Sequence, residues 1–184
     1  ALVLVSWDLK DEQRRYLSSL IVKKRPILIG PGSIGIVNTA NGLVAVPENS
    51  PVLKGQVALI SRDFCISSVL LNLARKKGIS KFVSVGEGIG IREGDVLSYM
   101  AQDKETRAIC IYIEEARDGR KLISAVKESV VNKPVLLVKG GAESAIFSNV
   151  MKQAGLLQAH SIREMLNGAN ALAKQPPMLG DRVA

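Results

Sequence analysis

Short runs of Val, Ile and Leu alternate with stretches of helical spacing along the chain, and no other feature limits the fold so closely. The runs are Leu2 to Val5, Ile27 to Ile29, Val57 to Ile60, Phe82 to Val85, Ala108 to Ile113 and Val135 to Val138. Between them, Asp11 to Val22, Ser67 to Lys77, Gly94 to Gln102, Gly119 to Val131 and Ile146 to Ala154 carry apolar residues three and four apart, as helices with one buried face do. Strands that are apolar throughout are buried on both faces. The pattern therefore predicts a three-layer α/β domain, a mostly parallel sheet covered by helices and joined by right-handed crossovers. A further helix, Ser161 to Ala173, opens on the capping box Ser161-Ile162-Arg163-Glu164 and is followed by Pro176, Pro177 and Gly180, which predicts a linker after it.

Length and composition bound what such a domain does. At 184 residues the chain holds one core, or one domain and part of another. No apolar run approaches the ~20 residues of a membrane span, so no membrane role is expected. The apolar opening has no basic stretch before it and runs into Asp8 to Glu12, which argues against a signal peptide and for a cytoplasmic protein. The chain opens on Ala1 and directly on a strand, as a piece cut from something longer would. Cys65 and Cys110 both sit among apolar neighbours, which predicts two buried structural thiols. The net charge of +8 is spread over Lys23 to Arg25, Arg75 to Lys77 and Arg117 to Lys121. With so few aromatic rings to stack bases, these read as solvated helix faces, and no nucleic-acid partner is expected.

In a sheet of this kind the ligand site lies beyond the carboxyl ends of the strands. The loops there are Gly30 to Gly35, Ser61 to Phe64, Gly86 to Gly90, Glu114 to Gly119 and Lys139 to Glu143. Glycine after a strand lets backbone N–H groups approach a phosphate, although tight turns use it equally. Neither the dinucleotide glycine spacing nor a Gly-Lys-Ser/Thr phosphate loop is present. Glu114 and Glu115 end an apolar strand, where a carboxylate orients a histidine, acts as a base or is simply solvated. The single histidine, His160, and two separated cysteines support no Ser-His-Asp triad, Cys-His pair or metal cluster.

From Gly30-Pro31-Gly32-Ser33-Ile34-Gly35-Ile36-Val37-Asn38-Thr39 onward the chain resembles the α-type chain of the ADP-forming acetyl-CoA synthetases, relatives of succinyl-CoA synthetase. Matching stretches are Leu53 to Ser61, Ile79 to Gly86, Ile111 to Glu114 with Arg117 to Lys121, Lys133 to Val135, Lys152 to Gly155 and Ala173 to Pro176. The resemblance implies a flavodoxin-like ligase domain at residues 26–174, preceded at 1–25 by the tail of a CoA-binding Rossmann-like domain and followed at 175–184 by a linker. It implies an enzyme, an acid–thiol ligase that turns acyl-CoA, phosphate and ADP into acid, CoA and ATP through an acyl phosphate and a phosphohistidine. CoA and phosphate are then substrates, ADP or ATP with Mg is held by a nucleotide-grasp β-type chain or domain in an oligomer, and no prosthetic group is needed. By position Glu114 is the catalytic candidate that steadies the histidine. The candidate phosphate and ligand loops hold Gly30, Gly32, Ser33 and Asn38, then Ser61, Arg62 and Asp63, then Gly86 and Glu87.

The chain also departs from that pattern. Gly32 stands where the family has Asn in Gly-Pro-Asn, Ser61-Arg62-Asp63-Phe64 replaces Ser-Gln-Ser-Gly, and Glu87-Gly88-Ile89-Gly90 replaces Asn-Lys-Ala-Asp. Between Ala145 and Ile146 a segment of about fifteen residues bearing Ser-His-Thr-Gly has no counterpart, and an exposed, Gly-rich swinging loop of that kind is expected to be mobile. Either the sequence lacks a segment that the protein has, or the protein has lost its phosphocarrier and binds a partner subunit or an acyl-CoA without turnover. A flavin-binding domain is a third reading, weakened by the scarcity of aromatic residues in the loops.

Overall fold

The computed structural model describes residues 2–24, 26–47, 51–115, 118–142 and 145–176. Strands β1 (Leu2–Val3) and β2 (Leu28–Ile29), separated by helix α1 (Asp11–Lys24), pair in parallel as a two-stranded sheet of their own. The main sheet comprises β3 (Ile36–Asn38), β4 (Leu43–Ala45), β5 (Lys54–Ser61), β6 (Ile79–Ser84), β7 (Ala108–Ile113), β8 (Val135–Lys139) and β9 (Leu157–Gln158). Their spatial order is β4-β3-β6-β5-β7-β8-β9, parallel from β6 to β9 and antiparallel at β3 and β4.

Helices α2 (Phe64–Ala74), α3 (Glu93–Gln102), α4 (Gly119–Val130), α5 (Ala145–Gln153) and α6 (Ile162–Lys174) follow β5, β6, β7, β8 and β9 in turn. Alternation of side chains along the strands divides the core into two layers. Val57, Leu59, Phe82 and Cys110 face α2 and α6, while Ala58, Ile60, Ile109 and Ile111 face α3, α4 and α5. From β5 the chain steps to β6 on one side and then crosses to β7 on the other. This is the flavodoxin-like order, and it opens a crevice at the carboxyl ends of β5 and β7.

The expected three-layer, mostly parallel fold is present, with differences at its edges. The hairpin β3–β4 and the short β9 are absent from the sequence-based list of strands. Isolated pairs and triplets such as Val37 or Leu157 carry no two-residue period long enough to register. Helix α2 starts at Phe64 rather than Ser67, because Asp63 caps it by accepting from Ile66 N at 2.7 Å. Cys110 is buried as expected, but Cys65 is exposed. Its apolar neighbours Phe64 and Ile66 belong to the first turn of a helix, so the three side chains do not share one face. The capping box of α6 is altered too: Ser161 Oγ accepts from Glu164 N at 3.1 Å, while Glu164 reaches back to His160 N at 2.9 Å. Arg25, Arg117 and the linker residues from Pro177 onward lie outside the described residues.

At the amino end of the sheet, opposite the crevice, a buried polar cluster fixes β6 against the turn after α3. Lys81 Nζ lies 2.6 Å from Asp103 Oδ2, with side-chain exposures of 6% and 13%. Thr106 Oγ1 donates to the same oxygen at 2.6 Å and pairs with Ser80 Oγ at 2.7 Å. Burial alone would push the Asp103 carboxyl up, but the hydrogen bonds from Lys81 and Thr106 and the charges of Lys81 and Lys133 hold it below the usual carboxylate range. Lys133 Nζ donates to Met100 O at 2.9 Å and to Asp103 O.

Candidate functional site

The crevice holds a cleft of about 300 Å³ lined by Trp7, Gly32, Arg62, Asp63, Phe64, Gly86, Glu87, Glu114 and Glu115. Each lining group comes from a loop that the fold directs there. Trp7 follows β1, Gly32 follows β2, Arg62 to Phe64 follow β5, Gly86 and Glu87 follow β6, and Glu114 and Glu115 follow β7.

The loops after β1, β2 and β6 are laced together by backbone hydrogen bonds. Gly30 N donates to Val85 O at 3.0 Å, Gly32 N to Ser6 O at 2.9 Å and Glu87 N to Pro31 O at 2.8 Å. Gly86 has φ +67°, and a β-carbon there would stand 2.1 Å from Pro31 O, so only glycine lets the two loops meet.

The side chains then set the electrostatics. Glu87 accepts both Arg14 Nε at 2.9 Å and Arg14 Nη2 at 2.7 Å, a bidentate pair that ties α1 to the cleft rim. Its hydrogen bond to Glu87 raises the Arg14 pKa further, so the guanidinium stays charged. Arg62 Nη1 donates to Glu115 O at 3.0 Å, and its Nε lies 3.7 Å from Glu93 Oε1. Glu114 Oε1 accepts from the Tyr112 hydroxyl at 3.1 Å. Burial pushes that hydroxyl up to about 12, with the hydrogen bond and charge of Glu114 and the charge of Asp63 adding to the shift. The phenol lies so close over Gly140 that a β-carbon there would fall 2.0 Å from its oxygen. Glu114 is thus a carboxylate held at one oxygen by a neutral donor, leaving the other able to accept a proton or an N–H from a neighbour.

Of the residues named from the sequence, Gly32, Arg62, Asp63, Gly86, Glu87 and Glu114 meet at the cleft. Gly30 instead packs against the Leu4 carbonyl. Ser33 is fully buried, donates to Ser84 O at 2.5 Å and accepts from Gly35 N at 2.9 Å. Asn38 pairs with Lys81 in the register of β3 and β6, toward the far end of the sheet, where its Oδ1 accepts from Ala40 N at 3.2 Å. Ser61 is fully buried at the end of β5, and its hydroxyl has no hydrogen-bond partner among the described residues. Trp7 and Phe64 are lining residues absent from the candidate set. Trp7 follows a strand, which is the signal that would have found it, but that strand lies outside the main sheet.

His160 follows β9 at the far edge of the sheet and is not among the lining residues. Ala145 and Ile146 are consecutive residues in the first turn of α5, after β8 and on the same edge of the sheet as the cleft. Among the described residues no group of three or more His, Cys, Asp or Glu side chains is placed to hold a metal ion. No described helix is long and apolar enough to cross a membrane.

Comparison with known proteins agrees with this architecture. The succinyl-CoA ligase like flavodoxin domain matches residues 54–146. The α-subunit of acetate–CoA ligase [ADP-forming] I from Pyrococcus furiosus is 32% identical over 198 aligned positions, covering 96% of this chain and 43% of that one. Those 198 positions exceed the 184 residues here, so part of that relative's matched stretch has no counterpart in this chain. A crystal structure from Pyrococcus horikoshii OT3 superposes with a TM-score of 0.90 at 31% identity, covering 99% of this chain and 43% of its own. The apo form of a dinucleotide forming acetyl-coenzyme A synthetase 1 from Ca. Korarchaeum cryptofilum gives 0.90 at 26%, covering 98% and 44%. The chain thus spans about two fifths of the length of these relatives. The family match runs from β5 into the first turn of α5, over half of the chain, and the chain belongs to the succinyl-CoA ligase like flavodoxin domain family.

Proposed function

We propose that the chain is the ligase region of an ADP-forming acyl-CoA synthetase. The observation that carries this reading is the position of Glu114, at the carboxyl end of β7 and beside the strand whose following loop would bear the histidine. In the reaction a phosphate oxygen attacks the thioester carbonyl of acyl-CoA, the C–S bond breaks and CoA leaves as the thiol. The acyl phosphate passes its phosphoryl group to a histidine nitrogen, the P–O bond to the carboxylate breaks and the acid departs. The phosphohistidine then phosphorylates ADP. Glu114, held by Tyr112, would orient the histidine through its second ring nitrogen, as carboxylates do for ligating or nucleophilic imidazoles.

On this reading the histidine segment stands between Ala145 and Ile146, and the Pyrococcus furiosus relative has aligned positions without a counterpart in this chain, in keeping with such a stretch. We place ADP, with Mg, on a nucleotide-grasp partner chain or domain, in keeping with relatives named as α-subunits, and the whole in the cytoplasm. Residues 1–25 are the end of a CoA-binding domain. In support, among the described residues β1 joins no strand of the main sheet, and the 14-residue α1 has no fully buried residue. Residues 26–174 are the ligase domain, and 175–184 a linker.

Intact mass and peptide mapping across Ala145 and Ile146, followed by labelling with radioactive phosphate from acyl-CoA and phosphate or from ATP in the presence of the partner, test the proposal. A histidine-bearing segment at that junction that takes up phosphate supports it. Ala145 joined directly to Ile146, with no phosphate incorporated, overturns it in favour of a chain that binds without turnover.

A further inference from the structure

The backbone of the loop after β7 is pinned on both sides of Glu114. On one side Ile113 O accepts from Gly140 N at 2.9 Å, which carries the pairing of β7 with β8 past its last register pair. On the other side Glu115 O accepts from Arg62 Nη1 at 3.0 Å. Between the two, the Glu114 side chain accepts from the Tyr112 hydroxyl at 3.1 Å. Tyr112 and Gly140 belong to β7 and to the turn after β8, whereas Arg62 reaches in from the loop after β5.

Arg62 is itself held. Its neighbours in the chain are Ser61, which is fully buried, and Asp63, which caps α2. Its Nε lies 3.7 Å from Oε1 of Glu93, the first residue of α3, and the two side chains are only 17% and 10% exposed. A guanidinium carries its five N–H donors in a rigid plane, so Nε faces Glu93 while a terminal nitrogen reaches the Glu115 carbonyl. A lysine ammonium would keep the charge and lose that fork. One side chain thus ties together the loop after β5, the start of α3 and the loop after β7. Glu93 is not among the residues that line the cleft, so any effect it has on the chemistry passes through Arg62.

We propose that Arg62, held by Glu93, is a positioning residue: it fixes the backbone at Glu115 and so sets where the Glu114 carboxylate stands in the cleft. The proposal rests on the ligase reading above for the use made of Glu114, and it gives Arg62 a role through the backbone in place of direct contact with phosphate. CoA release from acetyl-CoA with phosphate and ADP is measured on the full-length protein with its partner, and the native protein is compared with Glu93→Gln and Arg62→Lys. Each variant should lower kcat about tenfold and leave KM for phosphate within about twofold, because the contact orients a group rather than binding substrate. Glu93→Gln leaves a partly buried guanidinium without its counter-charge, so the double variant Arg62→Gln/Glu93→Gln, which removes both charges, guards against loss of folding and should show the same fall in kcat. A raised KM for phosphate at unchanged kcat in Arg62→Lys means that Arg62 holds phosphate directly, and it overturns the proposal. An unchanged kcat in Glu93→Gln overturns it as well.

The placement of Glu114 is read without turnover through the phenol that donates to it. With tyrosine isotope-labelled at Cζ, the Tyr112 resonance is identified by its loss in Tyr112→Phe, and Glu114→Gln marks its position when the carboxylate is gone. At neutral pH both Glu93→Gln and Arg62→Lys should move the resonance from its native position toward that of Glu114→Gln. If it moves while the native protein cleaves no thioester, the ligase reading fails and the placement stands. A resonance unmoved in both variants overturns the placement and leaves the ligase reading to the turnover of the native protein.

Discussion

At the scale of single residues, the cleft shows how one burial decision spreads to its neighbours. Tyr112 is the last residue but one of β7, a strand buried throughout, and Gly140 leaves the space in which its hydroxyl reaches Glu114. Burial raises the phenol to about 12, so the unfolded chain releases this proton first, near its ordinary value of about 10. The contribution to stability is therefore complete below about pH 10 and is lost as pH rises toward 12. In an ultraviolet alkaline titration, the difference between native protein and Tyr112→Phe should isolate a phenol with a midpoint near 12. Glu114→Gln should bring that midpoint down but not back to 10, because burial is the larger cause. At the opposite end of the sheet, Asp103→Asn leaves Lys81 buried without its counter-charge and should cost about 3 kcal/mol in urea unfolding. Replacing both partners with apolar residues should cost less than that single change.

Among the elements, α1 and α2 differ in what holds them. Helix α2 buries Ser67, Leu70, Leu71 and Ala74 and is capped by Asp63, so Asp63→Ala should lower stability by about 1 kcal/mol, measured by thermal unfolding. Helix α1 has no fully buried residue, only half-buried ones such as Leu17, Leu20 and Ile21, and is fastened by the Arg14–Glu87 pair. Glu87→Gln should therefore speed amide exchange across Asp11–Lys24 while leaving β5 to β8 unchanged, as read by hydrogen exchange and mass spectrometry. The same contrast explains what the sequence could reveal. The long buried strands and amphipathic helices were legible because period and burial coincide. The hairpin β3–β4 was not, because three-residue strands are defined by partners rather than by pattern. In the site, loops after strands pointed to Gly32, Asp63, Gly86 and Glu114. The same rule could not tell that Ser33 and Gly30 turn inward to hold loops together, nor that Asn38 starts back toward the far edge.

For the whole molecule, the two ends of the sheet respond to opposite extremes of pH. Asp103 is held below the usual carboxylate range, so its contribution is present above the unfolded value of about 4 and is lost as pH falls below it. The stability gap between native protein and Asp103→Asn should accordingly shrink between pH 5 and 2, measured by urea unfolding at each pH. The core is otherwise divided into two apolar layers that owe nothing to the cleft residues. Ala145 opens α5 and Ile146 follows it in the first turn, so this junction lies at a helix start just after β8. Chain added there would enter outside both layers of the core, and the domain would carry such a graft without having to be rebuilt around it.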